Sequence, residues 1–132
     1  MKKNYITISL LFVLLLIGGS FILSKKNTPI EGSDTSKYVF LEDDVQIVKV
    51  TVNTQGYTPN SVEAKAGLKT ILRMESQNSF GCERSLRIPS LEITEILPSE
   101  GTTDIDLGTP KEGENIFGSC SMGMYTFKIS FK

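Results

Sequence analysis

The sequence predicts an all-β domain, a Greek-key β-sandwich of about seven short strands, preceded by one apolar N-terminal segment. Three observations lead there. From Val45 onward, short runs alternate apolar with polar residues and are divided by glycine, proline and asparagine. No window keeps a 3.6-residue apolar period over a helical length. The alternating part, residues 45–132, is of a size that forms one small domain with a single core.

The N-terminus comes first. Residues 1–4 form a short basic start, followed from Tyr5 to Ser24 by YITISLLFVLLLIGGSFILS, which carries no charge. At about 1.5 Å per helical residue this run reaches roughly 30 Å, the hydrocarbon thickness of a bilayer. Small residues at Gly18 and Ser20 offer a signal-peptidase site, but the apolar run continues past it through Phe21, Ile22 and Leu23. An uncleaved transmembrane anchor is the favoured reading of 5–24, and a cleaved signal peptide the alternative. Lysine pairs flank the segment on both sides, so charge decides its orientation weakly. The default for a lone N-terminal segment puts the domain on the extracytoplasmic face. No cysteine lies in the segment to accept a lipid.

Residues 25–44 are polar, hold Pro29 and Gly32, and read as a linker. Tyr38 to Leu41 form either a short docking segment or the ordered end of that linker. The strands then follow in order. VQIVKVTV (45–52) places Val48, Val50 and Val52 on one face. Asn53 to Asn60, with Gly56 and Pro59, is a turn, and SVEA leads to Gly67. LKTILRM (68–74) is a clear strand, with Met74 a core residue. SLRIP (85–89) and LEITEIL (91–97) are each closed by a proline. TTDIDL (102–107) alternates before a turn at 108–110. ENIFGSC (114–120) and YTFKISF (125–131) end the chain, the last with Tyr125, Phe127, Ile129 and Phe131 on one face. There is no internal repeat. The domain is expected to fold alone as a monomer.

Composition excludes much. The chain has 132 residues, 39 % hydrophobic and 22 % charged, and contains neither histidine nor tryptophan. Without histidine there is no Ser-His-Asp triad, no Cys-His dyad and no imidazole metal site. The net charge of −1 hides an asymmetry: residues 1–26 hold four lysines and no acid, leaving ten basic and fifteen acidic residues after them. Such a domain offers a phosphate backbone no footprint, and nucleic acid is not an expected partner. Glu92, Glu95, Glu100, Asp104 and Asp106 are scattered at strand spacing and read as a solvated face rather than a glycosidase pair. Arg73, Arg84 and Arg87 read as surface charge. An enzyme is not expected.

Two cysteines remain. Cys82 sits in an inter-strand loop, NSFGCE, and Cys120 at a strand end, in GSCSMGMY. In an exported domain two cysteines commonly make a disulfide, here closing a loop that would add roughly 4 kcal/mol on the chain-entropy model. Against that stands the company of Cys120. Met122 and Met124 flank Gly123 in a polar loop, where an apolar side chain has nothing to bury against. A thiolate with thioethers is a soft ligand set that suits Cu(I). From the residues alone, metal site and disulfide both stand.

In this order of motifs the chain resembles a small bacterial cupredoxin-like domain, of the kind found in iron-uptake and heavy-metal-handling membrane proteins. Gly56-Tyr57-Thr58-Pro59 precedes Val62 to Gly67; Gly81-Cys82 precedes Arg87-Ile88-Pro89; Thr109 to Gly113 lead to Phe117; and Ser119 to Tyr125 close the pattern with Cys120, Met122 and Met124. The resemblance implies a copper site between the early loop and the last one. Cys82 would stand where such proteins place their first histidine, and Met122 or Met124 in place of the second. It further implies one copper ion, as Cu(I), and a role in copper handling or electron transfer, with a copper or redox protein as partner. The alternative is a disulfide-stabilised interaction module without metal.

Overall fold

The computed structural model describes residues 37–132; the expected basic start, the apolar segment 5–24 and residues 25–36 of the linker lie outside the described residues. Among the described residues no helix is long and apolar enough to cross a membrane. The expectation of an all-β sandwich holds, with ten strands rather than about seven. They are β1 (Val39–Glu42), β2 (Val45–Asn53), β3 (Gly56–Thr58), β4 (Ser61–Ala64), β5 (Thr70–Ser76), β6 (Ser85–Ile88), β7 (Ile93–Ile96), β8 (Gly101–Gly108), β9 (Asn115–Cys120) and β10 (Thr126–Phe131).

Two mixed sheets face each other. The first has the order β1-β2-β5-β8, with β3 also on β2; the second runs β4-β10-β9-β6-β7. One pair in each is parallel: β2 with β5, from Gln46 opposite Thr70 to Val52 opposite Ser76, and β10 with β4. The alternation seen in the sequence is the alternation of burial. Val48, Val50 and Val52 point inward from β2, Leu72 and Met74 from β5, Ile105 and Leu107 from β8, and Phe127, Ile129 and Phe131 from β10. Charged residues pointing the other way pair across the sheet. Arg73, for example, binds Asp104 and Glu42 at 2.9 Å across the first sheet.

Two segments read as linker and turn contain strands. Tyr38 to Leu41, read as docking segment or linker end, supplies β1, which pairs antiparallel with β2. Asp43 and Asp44 both take left-handed φ, 49° and 66°, which is the geometry of a two-residue type I′ hairpin turn. The Asn53–Asn60 turn contains β3, which puts Tyr57 opposite Val52. Gly56, at φ 112°, lies under the Tyr125 ring, where a Cβ would come within 2.6 Å.

Packing is close where β9 meets β10. Gly118 is the cross-strand partner of Phe127, and a Cβ at Gly118 would lie 2.2 Å from two carbons of the Phe127 ring. That ring stands edge-on to Tyr57, with centroids 5.4 Å apart at 89°. Gly118→Ala should therefore overpack the core and destabilise the domain by about 1–3 kcal/mol. Urea unfolding of the two proteins checks this: an unchanged midpoint would mean that Phe127 has room to withdraw.

Candidate metal centre

Both cysteines lie at the end of the sandwich where β2 and β5 finish. The loop after β5 is tied down before it reaches Cys82. Ser79, fully buried, donates its hydroxyl to the Val52 carbonyl at 2.9 Å and its N–H to the Ser99 carbonyl at 3.0 Å. Cys82–Arg84 then form one 3-10 turn. Arg84 exchanges two bonds with Leu97, accepting its N–H on the carbonyl and donating Nε to its carbonyl, both at 2.8 Å. The chain enters β6 directly after this turn.

Cys120 is held differently. It is the last residue of β9, paired with Leu86 on β6, and its N–H bonds to the Tyr125 carbonyl at 2.9 Å. Its carbonyl accepts from Gly123 N–H at 2.9 Å, closing a tight turn in which Gly123 takes φ 69°, a conformation glycine adopts without strain. Because β6 starts just after Cys82 and pairs with the strand that ends in Cys120, the two side chains converge. Their sulfurs are 3.5 Å apart, and both thiols are free.

The two thiols differ in environment. Cys120 is buried and Cys82 half-buried. Burial opposes ionisation of Cys120, but the backbone N–H of Tyr125, the Cys82 thiol and the N–H groups of Met122 and Met124 outweigh it and lower its pKa. Cys82 is shifted upward, by its hydrogen bond to Cys120 first, then by burial and by the negative charges of Cys120 and Glu83. Cys120 is thus the first to ionise, with Cys82 as its donor.

Met122 and Met124 occupy the β9–β10 turn and are 70 % and 64 % exposed; Phe80, in the Cys82 loop, is 73 % exposed. The methionines therefore take no part in the core, as their polar loop suggested. Of the three arginines, Arg73 is held on the outer face of the first sheet and Arg84 serves the Cys82 loop through its backbone bond.

Two residues near the cysteines were given no role from the sequence. Tyr57, buried in the aromatic cluster, donates its hydroxyl to the Glu83 carbonyl at 2.9 Å. Burial, followed by the charges of Cys120, Cys82 and Glu83, raises its pKa, so it stays a donor. Glu83 is 2 % exposed and accepts the N–H groups of Phe80 and Gly81 at 2.9 Å each. A carboxylate next to a loop cysteine reads as a solvated charge, and only the fold shows it turned inward.

The donor chemistry is sulfur alone. Among the described residues no group of three His, Cys, Asp or Glu side chains could hold a metal ion, and the nearest carboxylate, Glu83, is engaged with backbone N–H groups. Two thiols in contact and two thioethers on the adjoining turn fit a soft monovalent ion and give a hard divalent one no oxygen or imidazole.

A family model for the cupredoxin-like domain matches residues 12–129. The chain belongs to the cupredoxin-like domain family. No curated protein matches it in sequence. Among solved structures it is similar to the metal-binding domain of the Cu(I)-exporting P-type ATPase of Streptococcus pneumoniae D39, solved with Cu(I). Identity is 20 % over 70 % of this chain and 90 % of that one, with a TM-score of 0.60. It is also similar to a copper-binding protein whose apo form was determined by NMR, at 19 % identity over 71 % of this chain and 94 % of that one, with a TM-score of 0.62. At these identities the likeness is one of cupredoxin-like fold.

Proposed function

We propose that this cupredoxin-like chain binds Cu(I) through Cys82 and Cys120, completed by a thioether from Met122 or Met124, and serves extracytoplasmic copper handling from a membrane tether at residues 5–24. The observation that carries this reading is the 3.5 Å approach of two free thiols beside a turn that bears two exposed methionines. Two thiolates this close repel each other as anions, so they are protonated, oxidised, or neutralised by a soft cation. Thioethers add nothing to the first two states, but they complete a Cu(I) shell without adding charge. The copper proteins of similar fold point the same way. With no imidazole available, the His₂Cys set of an ordinary electron-transfer centre is absent from the sequence, and storage or delivery fits better than electron transfer. The partner is a copper donor or acceptor protein, and the domain acts as a monomer without enzymatic activity of its own.

A thiol count on the purified full chain tests this. Two titratable thiols that disappear on addition of Cu(I) support the proposal. A disulfide that forms regardless of copper and leaves no Cu(I) uptake would support the metal-free interaction module instead. The methionines can be resolved separately. Met122→Leu and Met124→Leu should both keep the fold, since neither side chain packs in the core, while the ligand's replacement weakens Cu(I) binding in competition with a chromophoric chelator. Equal affinity for wild type and both leucine variants would remove the thioethers from the proposal.

A further inference from the structure

Glu83 is a buried carboxylate that the copper-binding proposal does not use. Among the described residues no lysine or arginine forms an ion pair with it. Burying such a group without partners is costly, and here its hydrogen-bond partners are backbone N–H groups, those of Phe80 and Gly81, both 2.9 Å from Oε1. The carboxylate thus fills the inside of the loop that carries Cys82. Gly81 leaves room for it, since a Cβ there would stand 2.6 Å from Oε2. From the other side, Tyr57 fixes the Glu83 carbonyl. Cys82 lies between these two attachments, flanked by a residue whose N–H is held and one whose side chain and carbonyl are both held.

We infer that Glu83 is a positioning residue: its carboxylate holds the Phe80–Gly81 backbone so that the Cys82 thiol rests against Cys120 before any metal arrives. For affinity, the inference rests on the copper reading; for the metal-free loop, it does not. Loss of an outer partner that orients a ligand typically costs roughly 10–100-fold in metal affinity. The acceptor oxygen matters here rather than the charge, so glutamine, which keeps a carbonyl oxygen in the same place, should substitute for it and alanine should not.

The experiment uses the full-length protein, wild type, Glu83→Gln and Glu83→Ala. Amide hydrogen exchange is followed in the metal-free state, and Cu(I) affinity is read by competition with a chromophoric Cu(I) chelator. The expected result is slow exchange at Phe80 and Gly81 in wild type and in E83Q, with affinities alike. In E83A exchange at these two amides should rise at least about tenfold and Cu(I) affinity fall by about 10–100-fold. Should E83A fail to fold, E83Q decides alone, because a glutamine variant with unprotected Phe80 and Gly81 amides overturns the inference. So does an E83A protein with protected amides, or with loosened amides and wild-type copper affinity. A wild type that takes up no Cu(I) while its amides respond as stated would sink the copper reading and the affinity part, and leave the loop assignment standing.

Discussion

Replacing Cys120 with serine is expected to abolish Cu(I) binding while the domain remains folded. The backbone of Cys120 makes the bonds to Tyr125 and Gly123 that order this end of β9, and serine keeps them. What is lost is the more readily ionised soft donor, and a neutral hydroxyl does not replace a thiolate for a soft ion. Circular dichroism should retain its β signature and the competition assay should read no bound copper. A Cys82/Cys120 double serine variant that still takes up Cu(I) as wild type does would refute the sulfur site altogether.

The second large effect is that of pH on affinity. Ligating cysteines must lose their protons, so binding releases one proton for each thiol still protonated. Cys82 is held above the ordinary thiol range by its bond to Cys120, by burial and by neighbouring negative charge, and Cys120 below it. Between the two values only Cys82 has a proton to release, and apparent affinity should fall about tenfold for each pH unit of acidification. Once pH drops below the Cys120 value both thiols are protonated, and the fall steepens to about a hundredfold per unit. Competition titrations over a range running from alkaline to acid pH read this change of slope. An affinity flat across that range would mean that no thiol proton is displaced.

Much of this molecule can be read from residue order. The inward valines of β2 and the inward aromatic and aliphatic side chains of β10 follow from period-two alternation, because each strand has one face on the core and one in water. The two cysteines stand out because histidine is absent. β1 and β3 were hidden for a local reason. Asp43-Asp44 looks like the end of a polar linker, yet both residues accept left-handed φ, and β3 is three residues long within a turn-rich stretch. Glu83 and Tyr57 were hidden for a tertiary one. Nothing in NSFGCE says that its glutamate folds back onto Phe80 and Gly81, and nothing near Tyr57 says that its hydroxyl reaches a residue 26 positions away.

The contacts from Gly118 through Phe127 and Tyr57 to Glu83 run from the middle of the second sheet to the Cys82 loop without a break. Any ligand that binds the folded domain and not the unfolded chain raises the melting temperature of the whole domain. Occupancy of the cysteines is then legible as protection far from them, in the amides of β9 and β10, and a stability measurement becomes a binding measurement.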